Sequence, residues 1–220
     1  MLGRFPIARP RRASMLSQWR LASDTYLLAD SARAGPTALK TLADRLLSDL
    51  LGVPGQGITI SREPGGKPTP SPMPGWLSRA HRHGLTLLGA RRDVPVGVDL
   101  ELADDGLPHQ DVAETFFDPA EAAWLASQPA VMQPAQFCAL WTIKEAVLKC
   151  TGEGIINGLA RPAIDRAARH ALVSMGSAVA VQAGAHWVRV FKRQVGTRTV
   201  MAAIATPLTA ARPGNRGALC

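Results

Sequence analysis

The segment from Pro134 to Lys149 constrains this chain more than any other, because its side chains sort onto two helical stripes. Phe137, Leu140, Trp141, Lys144 and Leu148 share one face. Cys138, Thr142, Glu145 and Lys149 share a second. Gly152 and Gly154 lie just past its end, where a helix stops readily. Beyond Leu159 three runs read as strands: Ala171–Val181, Trp187–Phe191 and Val200–Ala205. Upstream, Leu39, Leu42, Leu46, Leu47 and Leu50 predict a helix over Thr37–Leu51, closed by Gly52, Pro54 and Gly55. Short strands are expected at Ile58–Ile60, Leu85–Leu88 and Val94–Leu100, with a Pro- and Gly-rich turn segment over Arg62–Gly75. Asp118-Pro119-Ala120-Glu121 carries a helix start: a capping acid, proline at the first helical position, and an acid three residues after the cap.

This order of elements predicts an α+β or α/β protein in two halves, with a seam near residues 102–118. We expect residues 1–20 to be a basic arm, 21–105 the N-terminal half, 106–207 the C-terminal half, and 208–220 a polar tail. The chain has 220 residues, 46% of them hydrophobic, which is enough for a sizeable core. No segment approaches the ~20 apolar residues that span a bilayer, so no membrane is expected. The three cysteines, Cys138, Cys150 and Cys220, have no metal-type spacing, and two fall in the predicted helix. They read as reduced thiols of a cytoplasmic protein. The net charge of +8 favours an anionic partner without choosing among nucleic acid, an acidic protein, a phosphorylated cofactor or an anionic membrane surface.

Two segments carry chemistry. In Gly97-Val98-Asp99-Leu100-Glu101, read as a strand, Asp99 and Glu101 project from one face while Val98 and Leu100 point inward. Neighbouring carboxylates repel unless a cation lies between them, and hard oxygen ligands suit Mg²⁺ together with substrate phosphates. A solvated acidic strand end is the bland alternative. In Trp141-Thr142-Ile143-Lys144-Glu145-Ala146-Val147-Leu148-Lys149, small residues precede an acid and a base one helical turn apart, which lets a ligand approach. Here the alternative is an ordinary Glu–Lys surface pair.

Together these two blocks, some forty residues apart, resemble the signature of the 4′-phosphopantetheinyl transferase superfamily. Arg62-Glu63-Pro64-Gly65-Gly66-Lys67-Pro68 is similar to that family's Gly-Lys-Pro segment. Phe116-Phe117 with Glu121 resembles the stretch between its blocks, and Gly152-Glu153-Gly154-Ile155 its closing turn. The resemblance covers roughly residues 58–207, and its length and layout look like the surfactin-synthetase-activating class, with two pseudo-symmetric halves in a monomer. Each half is then a small antiparallel-rich sheet packed with a long helix.

The resemblance implies transfer of phosphopantetheine from coenzyme A to a serine of an acyl or peptidyl carrier protein, whose acidic recognition helix suits a basic enzyme. It implies Mg²⁺, or Mn²⁺ in its place, on Asp99, Glu101 and Glu145. Glu145 is then the candidate base and Lys149 neutralises phosphate, with Asp99 also catalytic. Lys67, His81, Arg82, Lys144 and Lys149 are the implied coenzyme A contacts. The chain departs from the family at Ala80-His81-Arg82-His83-Gly84, where Ser-His-Ser is usual. His81 matches the family histidine if one extra residue is allowed in the loop that follows; a gapless match puts Arg82 there, and we favour His81. Lys40 and Arg45 are weaker candidates for the adenosine phosphates. Two rival readings are a member that binds without turning over and a basic nucleic-acid module. The second leaves the carboxylates unexplained, and no specific nucleic-acid partner is expected. Another Mg²⁺-dependent phosphotransferase would need a phosphate-binding loop or kinase motifs, which the sequence lacks.

Overall fold

The computed structural model describes residues 17–22, 24–29, 36–53, 59–62, 67–71, 75–103, 108–154 and 158–209. Among them lie two four-stranded sheets, both wholly antiparallel. The first has the order β1-β2-β6-β5, from Ser17–Ala22, Thr25–Ala29, Leu85–Arg91 and Trp76–Arg82. The second has the order β7-β10-β9-β8, from Gly97–Leu102, Arg198–Pro207, His186–Val195 and Ala178–Ala183. A separate hairpin pairs β3 (Thr59–Arg62) with β4 (Pro68–Ser71). Helix α1 spans Pro36–Leu51, α2 His109–Phe116, α3 Pro119–Ala126, α4 Gln133–Thr151 and α5 Arg166–Val173.

Three apolar clusters show how these stack. Leu47 and Leu51 of α1 pack on Leu77, Leu88 and Ala90 of the first sheet. That sheet's other face, with Leu27, Ala80, Leu85 and Leu87, packs on Val98, Leu100, Val200, Ala202 and Ile204 of the second. The far face of the second sheet, with Val188, Val190, Met201, Ala203 and Ala205, lies under Phe137, Leu140, Ile143 and Val147 of α4. The order is therefore helix, sheet, sheet, helix, with two inner sheets. Strand β10 is buried on both faces, so its sequence from Val200 to Ala205 is an unbroken apolar run rather than an alternation.

Several expectations change. The basic arm does not extend to residue 20, since Ser17–Ala22 is the edge strand of the first sheet; residues 1–16 lie outside the described residues, as does most of the 208–220 tail. The run Ala171–Val181 is not one strand. Asp165 accepts from the Ala168 amide and starts α5, which buries Ala168 and Leu172 one turn apart. The strand begins only at Ala178. The turn-rich stretch contains strand β4, which pairs with β3 near the strand expected at Ile58–Ile60, and the predicted seam contains α2. Strand β7, which the sequence assigned to the first half, pairs with β10 in the second sheet. The start of α3 matches its expectation: Asp118 and Glu121 form a reciprocal capping box around Pro119.

Candidate active site

Gly97 explains how the two chemical segments meet. A methyl group there would overlap the Ala146 carbonyl oxygen and the Cys150 amide, so α4 lies directly on the β7 backbone. At the other end of the contact the Cys138 thiol donates to the Leu102 carbonyl at 3.3 Å. The helix therefore runs antiparallel across β7, and its Cys138–Thr142–Glu145–Lys149 stripe follows the strand that carries Asp99 and Glu101. Val98, Leu100 and Leu102 fill the core between the sheets, which turns Asp99 and Glu101 to the α4 side. Lys149 Nζ is 2.6 Å from Asp99 Oδ1. Arg82 Nε, at the end of β5, is 2.9 Å from Glu101 Oε2. Asp99 and Glu145 are both buried, and Lys149 is half-exposed.

The charges are unbalanced in favour of a cation. Burial pushes the Asp99 carboxyl up to about 7 against the pull of Lys149, and the neighbouring charges of Glu101 and Glu145 add to the rise. Burial also raises Glu145, again opposed by Lys149. Asp99 Oδ2 is buried with no hydrogen-bond partner. Among the described residues no three His, Cys, Asp or Glu side chains are closed into a ligand cage; Lys149 engages Asp99 and Arg82 engages Glu101. The oxygen-only donors, the unspent Asp99 oxygen and the mutual repulsion of the carboxylates nevertheless fit a hard divalent ion such as Mg²⁺.

The other expected residues divide sharply. Strand β5 alternates, with Ser78 accepting from the Val98 amide at 2.9 Å, Ala80 in the core between the sheets, and Arg82 on the same face. His81 projects from the opposite face, where Nδ1 lies 2.9 Å from the Thr86 hydroxyl. The pleat thus sets Arg82 against Glu101 and leaves His81, the residue favoured from the sequence, exposed on the other face. The supposed loop is a strand end and a two-residue turn, His83-Gly84, with φ of 46° and 77°. Lys144, also expected at coenzyme A, lies on another face of α4. It is fully buried, 2.8 Å from Glu121 Oε2, and donates to the Pro162 carbonyl at 2.8 Å. A solvent-borne ligand does not reach it.

Lys67 stands beside the site and donates to the Cys150 carbonyl at 2.6 Å, with Nζ 4.7 Å from the centre of the Trp76 ring. Arg45 is exposed on α1, and the Lys40 side chain lies outside the described residues. The sequence reading missed the structural parts played by Gly97 and Glu121. Glycine immediately before a carboxylate strand was the signal for the first, and an acid pairing with a lysine on the apolar stripe was the signal for the second.

Residues 95–190 match the family described as the 4′-phosphopantetheinyl transferase superfamily. The 4′-phosphopantetheinyl transferase psf-1 of Bacillus pumilus is 36% identical over 121 residues, which cover 54% of this chain and 51% of that protein. The chain thus spans about half the length of that relative. The 4′-phosphopantetheinyl transferase HetI of Nostoc sp. is 32% identical over 164 residues, 70% of this chain and 69% of HetI. The 4′-phosphopantetheinyl transferase gsp of Aneurinibacillus migulanus is 39% identical over 61 residues, 28% and 25% of the two chains. With a relative matched over two thirds of its length and β7 and α4 inside the matched region, the chain belongs to the 4′-phosphopantetheinyl transferase superfamily, in its surfactin-synthetase-activating class.

Proposed function

We propose that this protein transfers the 4′-phosphopantetheine arm of coenzyme A to a serine of an apo acyl or peptidyl carrier protein. The observation that carries the reading is the convergence of Asp99 and Glu101 from β7 with Glu145 and Lys149 from α4, inside the region that matches the family. The serine oxygen forms a bond to the pantetheine-side phosphorus, the bond from that phosphorus to the bridging pyrophosphate oxygen breaks, and adenosine 3′,5′-bisphosphate leaves. Glu145, raised by burial, takes the serine proton directly or through water. Lys149, half-exposed, meets the phosphate charge that develops. Asp99, Glu101 and Glu145 would hold Mg²⁺, or Mn²⁺, which supplies charge neutralisation to the pyrophosphate oxygens. Arg82, on Glu101, and Lys67, at the Cys150 end of α4, are assigned to the nucleotide phosphates; Lys144 is not. The net charge of +8 suits both a polyanionic donor and a carrier with an acidic recognition helix. The reading carries with it a cytoplasmic monomer; among the described residues no helix is long and apolar enough to cross a membrane.

The test is to incubate the protein with coenzyme A, Mg²⁺ and a panel of apo carriers and weigh the products. Gain of one phosphopantetheine on the carrier serine is expected. Binding of coenzyme A or carrier with no mass gain on any of them would leave a binding protein built on the same fold.

A further inference from the structure

The Arg82 guanidinium is a cation already seated on Glu101, one of the three carboxylates assigned to the metal. Its Nε lies 2.9 Å from Glu101 Oε2, and its side chain is 36% exposed against 14% for Glu101, so the guanidinium has solvent to move into and the carboxylate does not. The backbone that carries Arg82 is fixed from several sides. Ser78 ties β5 to the Val98 amide, His81 pairs in register with Thr86 and Arg82 with Leu85, and Arg198 from β10 donates to the His83 carbonyl at 3.1 Å. A shift at Glu101 is therefore taken up by the Arg82 side chain, not by its strand. Lys149 plays the same part toward Asp99 at 2.6 Å, but it stands on α4 beside Glu145, whereas Arg82 reaches the cluster from the other sheet.

We propose that Arg82 is an internal counter-cation that holds Glu101 in the metal-free protein and must be displaced before a divalent ion can use that carboxylate. Like charges do not share one carboxylate at close range without cost, so the ion pair and the metal compete for Glu101. Displacement turns the guanidinium out to the open edge of the site, where it faces incoming phosphate oxygens that it can hold by a two-pronged contact. The inference rests on the proposed metal site and concerns how that site is loaded.

The experiment uses the whole chain without coenzyme A. Mn²⁺ binding is followed from the loss of the free-ion electron paramagnetic resonance signal in wild type, Arg82→Ala, Arg82→Lys and Asp99→Asn. A partly exposed ion pair is worth up to about a fivefold change in affinity, so Arg82→Ala should bind Mn²⁺ tighter by up to about that factor, with Arg82→Lys in between. In parallel, the arginine Nε resonance that disappears in Arg82→Lys should move toward the free-arginine position when Mg²⁺ is added to wild type. That measurement keeps the proposal open to refutation even if Arg82→Ala folds poorly. Equal affinity in wild type and Arg82→Ala, with Asp99→Asn abolishing binding, overturns the counter-cation role and leaves the metal site standing. Weaker binding in Arg82→Ala also overturns it, since Arg82 would then be organising Glu101 for the ion. If none of the proteins takes up Mn²⁺, the proposal falls together with the metal site.

Discussion

Replacing Lys144 should damage the fold and leave coenzyme A affinity alone, the opposite of what its place in the helical block suggests. Lys144 and Glu121 both have side chains with no solvent exposure, and they meet at 2.8 Å. The Glu121 carboxylate is the hub of the contact. It accepts from the Ile164 amide at 2.6 Å and the Asp118 amide at 3.2 Å, while Lys144 donates to Pro162 and lies 5.2 Å from the centre of the Phe117 ring. One ion pair thus ties α3, α4 and residues 162–164 together. Burial lowers the Lys144 ammonium and Glu121 opposes that shift.

Lys144→Met leaves a carboxylate buried with two amides and no counter-charge, which should cost about 3–5 kcal/mol. Glu121→Leu strands the ammonium and two amides and should cost at least as much. The double variant removes both charges but still leaves the two amides short of an acceptor, at about 1–3 kcal/mol each. It should therefore be less damaged than the sum of the singles, by about 2 kcal/mol or more. Urea unfolding of the four proteins gives the coupling, and KM for coenzyme A is measured on the folded single variants. A loss below about 1 kcal/mol in Lys144→Met, or a severalfold rise in its KM with stability intact, would refute the reasoning.

Asp99→Ala and Glu145→Gln should each lower carrier modification by at least about two orders of magnitude, and a chelator should abolish turnover until Mg²⁺ is restored; near-normal rates in either folded variant would sink the site assignment. Gly97→Ala should lose about 3 kcal/mol or more, since the added methyl meets backbone atoms of α4 that cannot yield singly, and a melting temperature close to wild type would show that α4 can lift from β7. His81→Ala should leave KM for coenzyme A unchanged because the imidazole faces away from the carboxylates; a marked rise would return the nucleotide contact to His81. Cys138 and Cys150 are buried, and burial pushes the Cys150 thiol up to about 11. Mass spectrometry should therefore count two more alkylated thiols in denaturant than in the native protein at pH 8, because thiolate is the reactive form.

The helix α4 was readable from its helical apolar spacing, and strands β6, β7, β9 and β10 from short apolar runs bounded by turn residues. Elements whose partners decide their state were less readable. The Arg166–Val173 helix competes with the apolar run into Val181, and what separates them is the Asp165 cap and the bend at residues 176–177, both local and small in energy. Strand β1 was hidden in a basic stretch because an edge strand needs apolar residues on one face only, and Leu21 supplies the buried contact there. The Asp99–Glu101 face followed directly from the two-residue pleat. The placement of Arg82 and His81 depends on the same pleat in β5: residues 78, 80 and 82 share a face, so which of the two lies against Glu101 is set by the packing of β5 on β7, which the sequence does not display.

Lys144 shows why a chemical motif cannot be read residue by residue. In Lys144-Glu145 two opposite charges stand side by side in sequence, and a helix turns adjacent residues about a hundred degrees apart. If Glu145 faces β7 and the carboxylates, Lys144 must face elsewhere. That direction is occupied by Phe117, Glu121 and Pro162. A lysine there is tolerated only because Glu121 is buried with it, and Glu121 is held by the capping box that starts α3. The acid that marks a helix start in the sequence and the lysine in the chemical block are thus halves of one buried pair. That pair locks α3 to α4, and α4 in turn presents Glu145 and Lys149 to Asp99. The half of the block to which chemistry is assigned is positioned by the half that is buried in the core.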